Sequence, residues 1–113
     1  MSSPRAYRRL TAGEVPDWLR QHPQALLLDS RDEATFARAA LPGALRLHRG
    51  NQDDLLLHTD RRRPVLIYCY HGQASRAWAQ MFADFGFVQV ADLVGGYAAW
   101  EAWTTRAGAP QAG

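Results

Sequence analysis

The sequence of 113 residues has one cysteine, Cys69, and no lysine. A single cysteine excludes an internal disulfide, an internal dithiol pair and a zinc site built from several thiolates. Any thiol chemistry of this chain must therefore finish on another molecule. The dispersed histidines His22, His48 and His58 show no ligand spacing, so no metal site is predicted. The aromatic residues at helical spacing indicate packing, and no cofactor is predicted.

Long apolar runs are also missing. No segment approaches the roughly 18 apolar residues that a membrane span requires, and residues 1–5 lack the apolar stretch of a secretory signal. Hydrophobic residues make up 47% of the chain and charged residues 21%, as in globular domains. We expect one soluble, cytoplasmic domain over residues 1–113, with an ordered core at about 6–105, flexible tails at 1–5 and 106–113, and no membrane partner.

All 13 basic residues are arginines, yet the formal net charge is only +2. The one basic cluster is Arg61-Arg62-Arg63, just before an apolar segment. It lacks the interleaved aromatic residues of a single-strand binding platform and has no second basic block. A solvated loop is favoured over a contact with phosphates or an acidic partner, and no nucleic-acid partner is predicted.

Apolar and amphipathic segments alternate along the chain, which predicts an α/β fold with a parallel sheet and helices on both faces. Thr11 and Glu14 form a capping-box pattern at the first helix. The uninterrupted run Val65-Leu66-Ile67-Tyr68 predicts the central strand. Strands are predicted at 25–29, 44–47, 65–68 and 87–90, and helices at 11–21, 32–40, 51–59, 74–85 and 96–105.

The helix that follows Cys69 has an amphipathic pattern, and Gly86 is expected to end it in a left-handed cap. Its predicted apolar face consists of Ala74, Ala77, Trp78, Met81, Phe82 and Phe85. Ligands of open parallel sheets bind beyond the carboxyl ends of the strands, and Cys69 lies at that end of the best strand.

A short polar segment leads from Cys69 into this helix and contains Tyr70, His71, Gly72, Gln73, Ala74 and Ser75. Gly72 tolerates positive φ, so successive backbone N–H groups can curl around one sulfur atom. Lowering a thiol pKa from about 8.5 to about 6.5 requires roughly 2.7 kcal/mol. A helix dipole supplies only about 0.3 to 1 kcal/mol, so hydrogen bonds from N–H groups must supply the rest. The loop favours a reactive nucleophile over a small buried hydrophobe.

Three motifs together match a known pattern. The strongest is Cys69-Tyr70-His71-Gly72 with Ser75, and the second is Leu93-Val94-Gly95-Gly96-Tyr97-Ala98-Ala99-Trp100. The third is Asp29-Ser30-Arg31, followed by Phe36 and Leu41-Pro42-Gly43-Ala44. On these motifs nearly the whole sequence resembles the rhodanese-domain family, specifically single-domain thiosulfate sulfurtransferases of the GlpE type. Ala39-Ala40 and Thr35 depart from the third motif, away from the cysteine loop.

The resemblance implies a rhodanese-like fold with a five-stranded parallel sheet, and an enzyme that moves sulfane sulfur from thiosulfate to cyanide or a thiol. A persulfide on Cys69 would rest in the N–H cradle between the two steps. Arg76 is the candidate cation for binding thiosulfate, although a solvent-facing helix residue fits it equally well. Ser75 is a candidate for hydrogen bonding to sulfur or for capping the helix, and Asp29 and Arg31 for pairing or for bracing loops near the site.

Other functions stay open at this point. A protein acceptor such as thioredoxin is an alternative recipient of the sulfur, and a binding module without catalysis is a third interpretation that the presence of Cys69 disfavours. A cysteine-dependent phosphatase or arsenate reductase needs an arginine six positions after the cysteine, to clamp the oxyanion. That position is Ser75, and Arg76 comes one residue later.

Overall fold

The computed structural model describes residues 6–106. The predicted tails are 1–5 and 106–113, and all of their residues except Arg106 lie outside the described residues. Arg106 is the last residue of the final helix. The strands are β1 (Arg8–Leu10), β2 (Leu26–Asp29), β3 (Leu45–Arg46), β4 (Val65–Tyr68) and β5 (Val90–Leu93). The helices are α1 (Val15–Gln21), α2 (Glu33–Arg38), α3 (Gln52–His58), α4 (Ala74–Asp84) and α5 (Gly96–Arg106).

The strands form one parallel sheet in the order β1-β5-β4-β2-β3. The fold class predicted from the sequence is therefore confirmed. Strand β4 is central, because Val65 pairs with Leu26 of β2 on one side and Val90 of β5 on the other. All residues of β2, β4 and β5 are buried, as expected for strands covered on both faces.

Two apolar clusters cover the two faces of the sheet. One joins Leu28 and Ile67 to Leu56 of α3 and Phe82 of α4. The other joins Leu66 and Tyr68 to α1 and α5, through Val15 and Trp18 and through Tyr97, Trp100 and Trp103. Helices on both faces leave the carboxyl edge of the sheet as the exit for the loops that follow each strand.

The predicted strand at 87–90 is wrong, because the fifth strand in sequence begins at Val90 and runs to Leu93. The apolar residues at 87–90 favoured the wrong segment. The true strand, Val90–Leu93, contains the charged residue Asp92, which interrupts its apolar pattern. Strand β1 was not predicted either, because its sequence Arg-Arg-Leu carries two charged residues. Both incorrect predictions involve a strand that contains arginine or aspartate. Such a residue is buried in a strand only when a partner from another part of the chain pairs with it.

Helix α4 has the predicted bounds to within one residue, but its predicted face is rotated. Ala74, Ala77 and Phe85 are exposed, and the buried residues are Ser75, Ala79, Phe82 and Ala83. The polar Ser75 lies on the buried face because its hydroxyl has partners there, which an apolar count cannot detect. Gly86 has φ +98° and ends the helix as predicted.

The arginine cluster 61–63 lies before β4, at the edge of the sheet opposite to Cys69. Arg61 donates to the carbonyls of Thr59 and Phe85, and Arg63 donates to the carbonyl of Gln24. Arg62 pairs with Asp60. These side chains brace loops. Among residues 6–106, no helix combines the length and the apolar character needed to cross a membrane.

Candidate active site

Cys69 follows the last residue of β4 and is 4% exposed. Its backbone is held at the carboxyl edge by its neighbours: Ser30, which follows β2, donates its N–H to the Tyr68 carbonyl. The Tyr68 hydroxyl, buried under the sheet, accepts from the Leu41 N–H. The sulfur therefore lies in a fixed position at the centre of the edge where parallel sheets bind ligands.

Backbone N–H groups surround the sulfur, as the loop predicted. The Gly72 N–H donates to Cys69 Sγ at 3.1 Å and the Ser75 N–H donates at 3.3 Å. Ser75 Oγ lies 3.5 Å from Sγ, within hydrogen-bonding distance for sulfur. We call Cys69, Gly72 and Ser75 the cradle. It has the donors that an anionic sulfur requires.

Gly72 adopts φ +85°, which lets the chain turn back toward the sulfur. It also lies against the loop between β5 and α5. A Cβ atom at residue 72 would be 2.6 Å from the Gly95 backbone nitrogen and 3.1 Å from the Leu93 carbonyl oxygen. Glycine is thus required twice here, by the backbone conformation and by the close approach of a second loop.

The start of α5 holds the cysteine loop from the other side. The Tyr97 N–H donates to the Cys69 carbonyl at 2.8 Å and the Ala98 N–H donates to the Tyr70 carbonyl at 3.1 Å. In a trans peptide the carbonyl and the next N–H point in opposite directions. Fixing the Tyr70 carbonyl on α5 therefore turns the His71 N–H toward the sulfur.

The pKa of Cys69 is lowered from its ordinary value. Burial raises the pKa and is the largest single effect. It is outweighed by the hydrogen bond with the Ser75 side chain and by those from the Ser75, Gly72 and His71 N–H groups, which together favour the thiolate. The thiolate is the nucleophilic form, so this site is reactive at a lower pH than an unperturbed thiol.

Ser75→Ala tests how much of this effect belongs to the side chain. The hydroxyl is removed and the N–H bond remains, so we expect a partial rise in the pKa of Cys69. The midpoint of the rate of alkylation by iodoacetamide against pH, measured by mass spectrometry, should move up, with about tenfold or less lost in rate at pH 7. An unchanged midpoint would show that the backbone donors suffice alone.

The outer loop residues are placed as follows. Tyr70 is 42% exposed, and its hydroxyl bonds to Asp32 and to Thr35. The bond from Tyr70, with further bonds from Thr35, lowers the pKa of Asp32 to about 2. His71, Gln73 and Ala74 are exposed. Their side chains are not part of the cradle.

Arg31 and Asp29 form the buried pair that the sequence predicted. Arg31 donates through Nη2 to Asp29 Oδ2 at 2.7 Å and also to the Ala39 carbonyl. Its guanidinium lies 4.1 Å from the ring centre of Tyr97. The pair ties the loop after β2 to α5, and both charges are compensated.

An open hollow of about 380 Å³ lies beside the cysteine loop. It is lined by Arg31, Thr35, Arg38, Ala39, Tyr70, His71, Tyr97, Ala98 and Glu101. Arg38 is its exposed cation. Arg76, the predicted substrate cation, is not among the lining residues, and its Nε lies 3.4 Å from the Tyr7 hydroxyl.

Two residues that the sequence did not single out also reach the cradle. Asp92 of β5 is fully buried and accepts the Ser75 hydroxyl at 3.0 Å. Arg9 of β1 donates to both carboxylate oxygens of Asp92 and to the Gly72 carbonyl. The sequence feature that could have indicated this contact is Asp92 itself, because it is a charged residue within an otherwise apolar segment. Within residues 6–106, no three His, Cys, Asp or Glu side chains cluster as metal ligands.

Comparisons with known proteins agree with this architecture. The family model described as "Rhodanese-like domain" matches residues 11–102. A protein of Actinobacillus succinogenes named "Thiosulfate sulfurtransferase GlpE" is 32% identical over 105 residues, which are 93% of this chain and 90% of that protein.

Two solved structures share the fold. A rhodanese-related protein from Thermoplasma volcanium superposes with a TM-score of 0.71 at 18% identity, over 85% of this chain and 92% of that one. A protein of Rhodopseudomonas palustris, described as of unknown function and a possible tyrosine phosphatase, gives a TM-score of 0.72 at 23% identity, over 94% and 85% of the two chains. At these identities the two structures support the fold alone.

Proposed function

Since the chain belongs to the rhodanese-like domain family, we propose that it is a thiosulfate sulfurtransferase that works through a Cys69 persulfide. The observation that carries this proposal is the cradle, in which the Gly72 and Ser75 N–H groups lie 3.1 and 3.3 Å from one buried sulfur. Donors fixed in this way stabilise an anion without reorganisation at the moment of reaction.

The reaction proceeds in two displacements. A lone pair of the Cys69 thiolate attacks the outer sulfur of thiosulfate, a sulfur–sulfur bond forms, and sulfite leaves with the electron pair of the bond that breaks. The enzyme then holds a persulfide anion. Cyanide or a thiolate attacks its terminal sulfur, thiocyanate or a new persulfide leaves, and the Cys69 thiolate returns. Charge balances in each step, and one cysteine suffices.

Loop size favours sulfur over phosphate. Gly72 and Ser75 already close to within 3.3 Å of Sγ, so the ring of N–H groups fits one sulfur atom. An oxyanion clamp would place an arginine at the position of Ser75, and Ser75 is instead fully buried and bonded to Asp92. These contacts support sulfur transfer and disfavour a phosphatase or arsenate reductase.

The proposed acceptor is a small thiol, cyanide, or a thiol of a partner protein such as thioredoxin. Cellular thiols that accept sulfur are kept reduced in the cytoplasm, and we propose that this enzyme acts there. The hollow beside Tyr70 and His71 is the proposed approach for both donor and acceptor. Its exposed Arg38 would attract the doubly charged thiosulfate.

Paired substitutions of Arg38 and Arg76 test where thiosulfate binds. Arg38 lines the hollow, whereas Arg76 is directed toward Tyr7, and both add positive charge around the loop. We expect Arg38→Ala to raise KM for thiosulfate about three- to tenfold, the range of roughly 0.7 to 1.4 kcal/mol for a partly exposed charge. Arg76→Ala should raise KM less, with kcat unchanged in both. Steady-state kinetics at low ionic strength checks this, and an equal or larger effect of Arg76 would place the donor on the α4 side.

Thiocyanate formation from thiosulfate and cyanide, followed together with release of sulfite, tests the proposed function. We expect both products in equal amounts and no hydrolysis of an aryl phosphate. If the protein hydrolyses the phosphate ester and forms no thiocyanate, the phosphatase interpretation replaces this proposal.

A further inference from the structure

The cradle is held from behind by an ion pair between two strands. Arg9 of β1 and Asp92 of β5 are direct neighbours in the sheet register. Arg9 Nε donates to Asp92 Oδ1 at 2.9 Å, and Arg9 Nη2 donates to Oδ2 at 3.0 Å. The Asp92 side chain is 0% exposed and that of Arg9 is 35% exposed. Burying a carboxylate is unfavourable unless it is paired, so the presence of Asp92 in the sheet requires a structural or functional explanation.

Each member of the pair contacts one of the residues that donate to sulfur. Arg9 Nη2 also donates to the Gly72 carbonyl at 2.9 Å, and the Gly72 N–H donates to Sγ. Asp92 Oδ2 accepts the Ser75 hydroxyl at 3.0 Å, and the Ser75 N–H donates to Sγ. Two hydrogen-bonded chains thus run from one ion pair to one sulfur atom.

The charges of Arg9 and Asp92 also support a role of this pair at the sulfur. Asp92 alone would oppose an anionic sulfur, because only the Ser75 hydroxyl separates the carboxylate from Sγ. The bidentate bond to Arg9 neutralises that carboxylate. The pKa of Arg9 is raised, first by its hydrogen bond to Asp92 and in part by the negative charge on Cys69, while burial lowers it. By reciprocity, Arg9 favours the Cys69 thiolate.

We propose that Arg9 and Asp92 are positioning residues for sulfur transfer: the pair fixes Gly72 and Ser75 around the sulfur, and Arg9 supplies the cation that favours its anionic form. The part of this inference that concerns catalysis rests on the proposed function. Among residues 6–106, the ionisable side chains that hydrogen-bond to the cradle are Arg9 from β1 and Asp92 from β5. Tyr70, His71 and Arg76 are its neighbours along the chain. Arg9 is thus the cation bonded to the cradle, although it lies 60 positions before Cys69 in the sequence.

Arg9→Gln tests the proposal, with alkylation of Cys69 by iodoacetamide against pH as the main readout. The substitution removes the bond to the Gly72 carbonyl and leaves Asp92 uncompensated. We expect the alkylation midpoint to move to higher pH, the rate at pH 7 to fall about tenfold, and kcat/KM for thiosulfate to fall at least as much. In Arg9→Gln/Asp92→Asn the opposing carboxylate is gone as well, so the alkylation rate should recover in part.

Arg8→Gln is the matched control. Arg8 lies on the same strand, and its guanidinium forms an exposed ion pair with Glu14 at 3.6 Å. Its alkylation profile and kcat/KM should equal those of the wild type. Arg9→Lys keeps the positive charge but lacks the planar guanidinium group, so its alkylation midpoint and kcat/KM should be intermediate. If Arg9→Gln does not fold, Arg9→Lys replaces it in the test.

A wild-type alkylation profile and kcat/KM in folded Arg9→Gln, or in Arg9→Lys if only that variant folds, would overturn the proposal and leave the pair a purely structural role. Alkylation needs no thiosulfate chemistry, so it separates the two hypotheses. If the wild type fails to form thiocyanate, the proposed function fails, while a shifted alkylation profile in Arg9→Gln still supports the positioning role.

Discussion

Cys69→Ser is expected to lower thiocyanate formation by at least about 10³-fold, to the rate of the buffer. Serine has nearly the same shape, and the Gly72 and Ser75 N–H groups can bond to its oxygen. Its hydroxyl does not ionise near neutral pH, however, and it forms no persulfide. The loss therefore reports the chemistry of sulfur, because the fold around residue 69 should be kept.

Thermal unfolding of Cys69→Ser provides its control, since a midpoint close to that of the wild type excludes misfolding as the cause. Sulfite release should disappear together with thiocyanate, because the first displacement needs the thiolate. Activity above about a tenth of the wild-type value in a folded Cys69→Ser protein would contradict a nucleophilic Cys69.

Gly72→Ala is expected to destabilise the protein by at least about 2 kcal/mol and to lower kcat/KM by about 10²-fold. The φ of +85° disfavours any side chain, and the new Cβ would lie 2.6 Å from the Gly95 nitrogen. That contact is with backbone, so the cysteine loop and the loop before α5 must separate. The Gly72 N–H then leaves the sulfur, and the activity falls with it.

Gly43→Ala is a matched control for the strain. Gly43 has φ +83°, almost the same as Gly72, but a Cβ atom there meets nothing within 4 Å. We expect a loss of about 1 kcal/mol in the free energy of unfolding, from the backbone conformation alone, and unchanged activity. Urea unfolding and steady-state kinetics of both variants separate the two effects. Equal losses in stability and full activity in Gly72→Ala would show that the contact with Gly95 is unimportant.

Much of this site is predictable from the sequence because it is local. The central strand, the loop and the start of α4 are consecutive, so the spacing from Cys69 to Ser75 already indicates N–H groups around one sulfur. The pairing of Arg31 with Asp29 is also local, over two positions. A periodic pattern of apolar residues and a glycine at the turn are enough to predict such local features from the sequence.

The remainder depends on pairing between distant segments. Arg9 and Asp92 become neighbours only when β1 adds to β5, and each charge, read alone, argues against a buried strand. The same holds for Ser75, whose polar side chain belongs to the buried face of α4 because Asp92 and Cys69 lie beneath it. No helical period can identify a polar residue whose partners come from two other elements.

The arrangement also explains why the position of Cys69 is stable enough for chemistry. Strand β4 is central, α5 holds the carbonyls of Cys69 and Tyr70, and the Arg9–Asp92 pair holds Gly72 and Ser75. A site built on rigid elements would keep its donors aligned through both of the proposed displacements. In the proposed mechanism only the sulfur changes, between thiolate and persulfide.

Intact-mass spectrometry of the wild-type protein after treatment with thiosulfate and removal of the excess is the most direct test of the persulfide. We predict a gain of one sulfur atom, located on the peptide that contains Cys69 and removed by adding cyanide. An unchanged mass in a preparation that turns thiosulfate and cyanide into thiocyanate would contradict the persulfide mechanism.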